Sequence, residues 1–299
     1  MNAAVAEKPE TPVVLVDITP GSHEMRRRER RRKLVRGGLV AACLLYLTVV
    51  LLAPLVGIVL SAFSKGLPTI AETLTSPDVK HAFLVTFQIT VVTLLVTTSL
   101  GAVTAWVLVR HRFHGRRLMN ALVELPLAMS PVTVGLACVL LFGRGGWFEP
   151  WFTGRGIQVM WALPSMVLVT TFICIPFVIR SVAPVLEEVG TEEEDAARTL
   201  GASTMQTLFR VILPNIRWGL FYGIALTTAR AIGEIGAVLL VSGMLKNKTE
   251  TATIYVFTAF EERLDTQGYI VALTLALISI VMLGVIEFSK RRKIREVVG

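Results

Sequence analysis

Six long apolar runs divide the chain, and each is long enough to cross a membrane as a helix. The runs cover about residues 37–62, 82–109, 118–142, 160–182, 216–242 and 268–289. A helix rises about 1.5 Å per residue, so about 20 residues cross a hydrocarbon core of about 30 Å. Lipid cannot satisfy the hydrogen bonds of an irregular backbone, so runs of this length predict helices. We expect an all-α membrane protein with six transmembrane helices.

The composition supports a membrane protein and argues against a soluble domain. Charged residues make up 17% of the chain, against about 25% in a typical soluble domain, and the mean hydropathy is +0.64. The first apolar run is longer than the core of a signal peptide, which has about 7–15 residues. We expect this run, residues 37–62, to be retained as the first transmembrane helix.

The distribution of lysine and arginine predicts the orientation. If the N-terminus is cytoplasmic, the cytoplasmic segments carry 22 of these residues and the outer loops carry 7, with Arg230 inside a run. Basic residues accumulate on the cytoplasmic side, so we expect both termini to be cytoplasmic. The basic cluster at residues 26–33 directly precedes the first run. Binding of anionic lipid headgroups explains it without nucleic acid.

A polar segment between the fourth and fifth runs, residues 191–214, is called the elbow here, and its sequence predicts two short helices. Thr191 with Glu194, and Ser203 with Gln206, have the spacing of capping boxes. Acidic residues of the first turn suit the positive end of a helix dipole. These patterns predict one helix from about residue 192 and another from about residue 204.

The remaining residues of the elbow predict where its helices end. Gly201 is placed to end the first helix, because glycine readily adopts the left-handed conformation. Pro214 is expected to end or kink the second helix. Five apolar residues have the spacing of one helix face: Met205, Leu208, Phe209, Ile212 and Leu213. By physical chemistry alone, such a segment could equally be an amphipathic stretch against lipid headgroups.

The order of residues in the elbow resembles the EAA loop of permease subunits of ABC importers. The matching residues are Asp195, Ala196, Ala197, Gly201, Val211, Leu213 and Pro214. All spacings agree, while Asp195 replaces glutamate and Val211 replaces isoleucine. In that family the loop forms a coupling helix that binds in a cleft of the ATP-hydrolysing subunit. The resemblance implies a partner ATPase, and these seven residues would contact it or shape the contact.

Three charged residues lie inside the apolar runs and away from their ends, where charge is costly and therefore faces protein or water. Arg230 and Glu234 are four apart in the fifth run, which places them on one face of a continuous helix. Glu124 lies in the third run, close to Pro126 and Pro131, where we expect the local helix to break. Two interpretations of Arg230 and Glu234 stay open: an ion pair that fixes helix packing, and a gate or pathway lining that meets an anion.

Several further stretches resemble the sulfate/thiosulfate-type permeases of ABC importers, and most of all the W-type inner-membrane subunit. These stretches are residues 62–67, 76–82, 124–131, 213–223 and 230–238. The last is similar to the RAxGEFGA run of oxyanion permeases, with Ile235 in place of phenylalanine. The resemblance covers about residues 37–290. It implies a type I ABC importer permease fold of six transmembrane helices, with a cytoplasmic coupling helix, in a bacterial inner membrane.

The polar ends of the chain and the resemblance together predict a division of the chain. Residues 1–36 would form a disordered basic cytoplasmic tail, residues 63–290 the permease transmembrane domain and residues 291–299 a second basic tail. The partners implied are a second homologous permease, a dimer of ATP-binding subunits and an extracytoplasmic sulfate-binding protein. Membrane lipid surrounds the complex, and nucleic acid is not expected.

We expect no catalytic residue, bound metal or cofactor in the chain itself. It contains no GxxxxGK[ST] phosphate-binding loop and no HExxH, so ATP and magnesium would bind to the partner ATPase and the chain would not be an enzyme. Cys43, Cys138 and Cys174 all lie in apolar runs without a CxxC spacing. They are expected to be packing residues, neither a metal site nor a disulfide framework.

Three alternatives are weighed against a sulfate permease. A molybdate or tungstate permease of the same class would carry a similar tetrahedral dianion. An ion-coupled secondary transporter would use Arg230, Glu234 and Glu124 as a relay, and inverted repeats would favour it, but no convincing repeat is visible. A membrane scaffold without transport activity would have no need for charges inside the membrane. Only the ABC permease explains the elbow.

Overall fold

A computed structural model describes the backbone of residues 22–298 and the side chains of residues 32–282. Within that part of the chain the regular structure is entirely helical. The helices are α1 Ser22–Phe63, α2 Leu67–Thr75, α3 Pro77–Arg110, α4 Arg116–Ala128, α5 Pro131–Phe142, α6 Glu149–Thr153, α7 Leu163–Val189, α8 Glu192–Thr199, α9 Thr204–Thr207, α10 Leu213–Ile232, α11 Gly236–Ser242, α12 Ala252–Glu261 and α13 Asp265–Val298. A π-helical segment, Leu208–Ile212, joins α9 to α10.

Four of the six expected spans are single helices long and apolar enough to cross a membrane. They are Arg32–Phe63, Pro77–Arg110, Leu163–Val189 and Asp265–Met282. The expected third and fifth spans are instead pairs of helices bent by 112° and 58°. The described residues therefore contain six spans when each bent pair is taken as one, which agrees with the expected number.

Each bend has a local cause in the sequence. Ser130 precedes Pro131 and adopts an extended conformation, with ψ at 138°, because the proline ring disfavours helical backbone at the residue before it. The break between α10 and α11 falls at residues 233–235, beside Gly233 and Gly236. The expected helix break near Pro131 is confirmed, and Gly233 and Gly236 border the second break.

The first predicted tail differs from the structure where it is described, and the second is the end of a helix. Residues 22–36, expected to be disordered, are the first turns of α1, and residues 291–298 continue α13. Arginine, lysine and glutamate all favour helices, so a helix that begins inside the membrane extends readily through such sequence. Residues 1–21 and Gly299 of the predicted tails lie outside the described part of the chain.

The chain divides into two compact units within α1 rather than at its end. The first unit is Met1–Val56 and the second is Gly57–Gly299. In the first unit, none of the side chains from Arg32 onward is buried. The second unit contains α2 to α13 and all of the buried core.

The core of the second unit has three apolar clusters, one around Val79, Ala252 and Val271 and two along α7. One cluster joins α7 to α3 and α10, with Val178, Val182 and Leu186 against Leu108 and Ile216. The other joins α7 to α5 and α11 through a group of buried side chains: Val134, Cys138, Met166, Val169, Ala237 and Val241. Within a bilayer such contacts stabilise through close packing more than through removal of apolar surface from water.

Candidate functional site

The first helix of the elbow, α8, ends where the sequence predicts. Gly201 has φ at +86°, a left-handed conformation that strains most other residues, and its N–H donates to the carbonyl of Arg198 at 2.9 Å. This turn separates α8 from α9 and directs the chain back toward α10.

Only one of the two predicted capping boxes forms. At the start of α9 the Gln206 N–H donates to Ser203 Oγ at 3.3 Å, and the Ser203 N–H donates to Gln206 Oε1 at 2.8 Å. Thr191 makes no side-chain capping bond at the start of α8. The prediction for Thr191 is wrong because the Glu194 carboxylate points toward Arg110 instead of back toward the N-cap.

Glu194 is the most buried residue of α8 and binds the last residue of α3. Its Oε1 accepts a hydrogen bond from Arg110 Nε at 2.8 Å, and the two side chains are 6% and 9% exposed. The Arg110 guanidinium also donates to the carbonyl of Gly190, the residue after α7. Neither residue belongs to the EAA pattern, and sequence reasoning missed their contact. Glu194 was singled out only as the capping-box partner of Thr191, and Arg110 was not singled out at all.

A second contact ties α8 to α10. The Asn215 side-chain amide donates to Glu193 Oε2 at 2.5 Å. Consecutive carboxylates, Glu193 and Glu194, therefore hold α8 to two different transmembrane helices. Asp195 and Ala196 point away from the bundle and are exposed, whereas Ala197 is half-buried.

The apolar residues expected on one face of the second elbow helix are partly buried and partly exposed. Ile212 is buried, while Met205 and Phe209 are 64% and 59% exposed. Leu208 and Leu213 are intermediate. The expectation of one common face is wrong because residues 208–212 are π-helical. A π-helix pairs residue i with residue i+5 and so shifts the register of the side chains.

Pro214 does not end the elbow helix. It lies in the first turn of α10, directly after the π-helical segment, where the departure from regular i to i+4 pairing accommodates the missing N–H of proline. Helical backbone runs from Thr204 to Ile232 through the π-helical segment. The other motif positions, Val211 and Leu213, are half-buried at this junction. The elbow is therefore physically continuous with the fifth span.

Arg230 and Glu234 form the expected ion pair, but not on one continuous helix. Arg230 Nη1 lies 2.5 Å from Glu234 Oε2, although α10 ends at Ile232 and Glu234 lies in the break that follows. Glu234 Oε1 accepts a hydrogen bond from the Ala237 N–H at 2.9 Å, and the Glu234 carbonyl accepts one from Thr253 Oγ1 at 2.9 Å. The Glu234 side chain is 2% exposed and that of Arg230 is 31% exposed.

The two bent spans meet at this charge pair. A Cβ placed on Gly236 would lie 3.1 Å from Pro131 Cβ, and one placed on Gly135 would lie 2.8 Å from the carbonyl oxygen of Ala237. Only glycine permits this approach at residue 135. The start of α5 therefore packs directly against the start of α11. Irregular backbone within a membrane-spanning segment is tolerated where protein or a water-filled cavity covers it.

Glu124 does not join Arg230 and Glu234. It pairs with Arg180 of α7, at 3.0 Å between Arg180 Nη2 and Glu124 Oε1, and both side chains are more than half exposed. The three ionisable candidates therefore belong to two separate ion pairs. Arg180 lies within the long helix α7, although the sequence grouped it with the flanking cytoplasmic residues.

A third group of polar residues surrounds the loop after α11. Asn247 donates to Asp78 at the start of α3 at 3.0 Å, and Lys246 pairs with Glu262 at 2.7 Å. Glu250 is 2% exposed, and burial raises the pKa of its carboxyl group, an effect that nearby Lys246 partly opposes. Sequence reasoning did not single out Glu250.

The described residues contain no group of three or more histidine, cysteine, aspartate or glutamate side chains arranged to hold a metal ion. The three cysteines are free. Cys138 and Cys174 are buried packing residues, as expected, whereas Cys43 is exposed on α1.

Comparison with known sequences places the chain in one family. A family model described as "binding-protein-dependent transport system inner membrane component" matches residues 97–295. A Synechocystis protein named sulfate transport system permease protein CysW is 42% identical over 254 residues, which are 85% of this chain and 92% of the relative. The Escherichia coli protein of the same name is 41% identical, with 78% of this chain and 80% of the relative covered.

More distant comparisons agree with the fold. The Escherichia coli sulfate transport system permease protein CysT is 34% identical over 86% of this chain and 92% of its own length. A bacterial ABC transporter involved in the import of the acidic polysaccharide alginate is similar in structure, with a TM-score of 0.71 at 15% identity, over 91% of this chain and 99% of the transporter chain. The chain has the permease fold of ABC importers and belongs to the family of binding-protein-dependent transport system inner-membrane components.

Proposed function

We propose that the chain is the membrane-spanning permease subunit of an ATP-driven importer that carries sulfate or thiosulfate into the cytoplasm. The observation that carries this proposal is identity of 41–42% to two proteins named sulfate transport permeases over most of the chain. As a transport subunit, the chain supplies a pathway and mechanical coupling but no chemical step. ATP and magnesium bind to a separate ATPase subunit.

The elbow is the part of the chain that would bind the ATPase. Leu200, Met205 and Phe209 are 89%, 64% and 59% exposed, and this trio is called the docking surface below. Exposed apolar side chains grouped beside polar residues commonly mark protein interfaces. The seven EAA-type positions, from Asp195 to Pro214, shape and flank this surface, and Gly201 makes the turn that presents Leu200.

The predicted orientation of the chain in the membrane also supports binding of the ATPase to the elbow. The excess of lysine and arginine on the elbow side of the spans favours a cytoplasmic elbow, with both termini on that side. ATP is cytoplasmic, so an ATPase reaches the elbow only in this orientation. The polar loop around Glu250 then faces the extracytoplasmic side, where a sulfate-binding protein delivers the anion. A second homologous permease completes the pathway.

Arg230 is the strongest candidate to meet the anion inside the membrane. Its side chain is 31% exposed and lies where two bent spans meet, a place where irregular backbone borders a cavity or a partner subunit. Glu234 is almost fully buried and caps α11, so its role is to hold Arg230 and the break in place. Glu124 and Arg180, both more than half exposed, are further candidates for the pathway.

The alternatives fit the observations less well. A molybdate or tungstate permease would share the fold, but the named relatives with 34–42% identity are all sulfate permeases. An ion-coupled secondary transporter would leave the docking surface of the elbow without a role.

Purification of the tagged chain, expressed together with its neighbouring genes, would test the proposal. We expect an ATPase and a second permease to co-purify in mild detergent. We expect the complex, reconstituted with its binding protein, to take up radiolabelled sulfate only when ATP is supplied. Uptake of molybdate in preference to sulfate would move the assignment to the first alternative. The absence of any ATPase from the purified complex, with uptake independent of ATP, would exclude an ABC permease.

A further inference from the structure

A buried ion pair joins the elbow to the transmembrane bundle at a point outside the EAA pattern. The Glu194 carboxylate and the Arg110 guanidinium are 2.8 Å apart, and both side chains are more than nine-tenths buried. Arg110 also donates to the carbonyl of Gly190. One guanidinium thus connects the end of α3, the residue after α7 and the first turn of α8.

Arginine suits this position because its planar group presents several N–H donors in a fixed arrangement. Lysine has one compact ammonium group on a flexible chain and would not hold both acceptors in the same geometry. Burial of an ion pair stabilises a fold weakly, because removal of two charges from water offsets their attraction. The pair therefore contributes more to a defined geometry of the elbow than to stability.

Neighbouring residues of the same helix point in opposite directions. The Asp195 side chain is 63% exposed and belongs to the pattern that implies contact with the ATPase. Glu194, one residue earlier, is 6% exposed and contacts Arg110 of α3. α8 therefore has an outer side for the ATPase and an inner side fixed to α3.

α3 extends this connection across the whole bundle. It has 34 residues and is therefore about 51 Å long. Near its other end Thr86 Oγ1 accepts a hydrogen bond from the Ala252 N–H at 2.9 Å. The next residue, Thr253, donates to the carbonyl of Glu234 in the break after α10. A continuous series of contacts thus links Glu194 to the charge pair inside the membrane.

We propose that Arg110 is a positioning residue for energy coupling: its buried pair with Glu194 makes α8 and α3 move together when the ATPase moves the elbow. This inference rests on the proposed function, since it requires an ATPase at the docking surface. It goes beyond that function because it assigns the inward transmission of movement to two residues outside the EAA pattern.

The test uses the complete reconstituted transporter and measures sulfate taken up per ATP hydrolysed. Glu194→Gln keeps the shape of the side chain but removes the charge, and Arg110→Lys keeps the charge but removes the planar group. We expect both variants to assemble with the ATPase and to hydrolyse ATP. We expect uptake per ATP to fall by about tenfold or more, as expected for loss of a hydrogen bond between charged groups. Glu192→Gln, which alters an exposed carboxylate in the same turn, is the matched control and should leave the ratio unchanged.

A double variant that exchanges the two charges provides a second test of the inference. The double variant Arg110→Glu with Glu194→Arg should recover part of the ratio lost in either single variant. An unchanged ratio in Glu194→Gln and Arg110→Lys would overturn the inference. A parallel loss of assembly, hydrolysis and uptake, without recovery in the exchange variant, would show a structural role alone and also overturn it. Failure of the proposed function can be told apart from failure of this inference, because the unaltered complex would then show no ATP-dependent uptake.

Discussion

The Glu234 carboxylate accepts a hydrogen bond from the Ala237 N–H at 2.9 Å, across the break between α10 and α11. Its other oxygen contacts Arg230. One side chain thus satisfies a free N–H at the start of α11 and neutralises a cation in the membrane. Unpaired N–H groups are costly in a bilayer, so Glu234 makes the break possible while it holds Arg230 in place.

Removal of the Glu234 side chain is expected to destabilise the protein. Glu234→Ala leaves the Ala237 N–H without an acceptor and Arg230 without its counterion, and loss of one partner of a buried pair costs about 3–5 kcal/mol. Glu234→Gln keeps an acceptor for Ala237 and should lose less stability. Thermal unfolding of the purified protein in detergent measures the difference. Glu187→Ala, at an exposed position of α7, is the control, and equal Tm values for Glu234→Ala and this control would contradict the role of Glu234 as a cap.

A double variant separates the two interpretations of Arg230. Arg230→Met with Glu234→Gln removes both charges and keeps most of the volume and one acceptor. Replacement of a buried ion pair by groups of similar volume is often neutral or stabilising. If Arg230 meets the anion, the variant should assemble normally while sulfate uptake falls by at least about tenfold, which corresponds to about 1.4 kcal/mol. Uptake at the normal rate from a normally assembled complex would leave the pair with a structural role alone.

The turn at Gly201 is expected to control the position of the docking surface. Its φ of +86° is incompatible with proline, whose ring holds φ near −65°. Gly201→Pro should therefore displace Leu200 and lower ATP-dependent uptake strongly, while the protein still inserts in the membrane. Asparagine tolerates the left-handed conformation better than most residues, so Gly201→Asn should keep most of the activity. Similar uptake by the two variants, at similar expression, would show that this turn is not needed for coupling.

The sequence predicted the framework of the fold because its signals are local. Apolar runs mark the spans, and Ser203 with Gln206 and Gly201 mark the elbow helices, since capping and left-handed turns depend on residues a few positions apart. The break near Pro131 followed from the same kind of signal. The Arg230–Glu234 contact was also predicted, although for the wrong reason, because the helix that was expected to align the two residues ends at Ile232.

The interactions that sequence reasoning missed depend on residues far apart in the chain. Arg110 and Glu194 are 84 positions apart, and neither the charge pattern nor helix periodicity indicates such a partner. Glu124 was recognised as a charge inside a span, but its pairing with Arg180 follows only from the way α4 packs on α7. The π-helical segment at residues 208–212 breaks the usual spacing, so the apolar residues of the elbow could not be assigned to one face.

Replacement of an exposed apolar residue in the elbow should weaken binding of the ATPase. Leu200 is 89% exposed, so Leu200→Asp should leave the permease folded. Truncation of a hot-spot residue at an interface costs about 2 kcal/mol or more, which for Leu200 predicts a fall in co-purified ATPase at low subunit concentration. Leu245→Asp alters an exposed leucine in the loop after α11 and should leave ATPase binding unchanged. Equal recovery of ATPase with both variants would remove Leu200 from the docking surface.

The buried carboxyl group of Glu250 should make stability depend on pH. Burial raises its pKa above the ordinary value of 4.5, so the folded protein binds a proton more tightly at this group than the unfolded chain does. The contribution of this group to stability is therefore fully present below the ordinary pKa and is lost as the pH rises through the raised pKa. Glu250→Gln should remove this loss and raise the Tm in the upper part of a scan from about pH 4 to about pH 8.

Glu262→Gln serves as the control for that scan. Glu262 is exposed and paired with Lys246, and an exposed pair contributes at most about 1 kcal/mol. This variant should therefore keep the decline in stability with rising pH that Glu250 causes. If the Tm of Glu250→Gln declined over the same pH range as that of the unaltered protein, the pH dependence would belong to another group. Glu250 would then ionise in the folded protein without the free-energy penalty that its burial in the loop after α11 predicts.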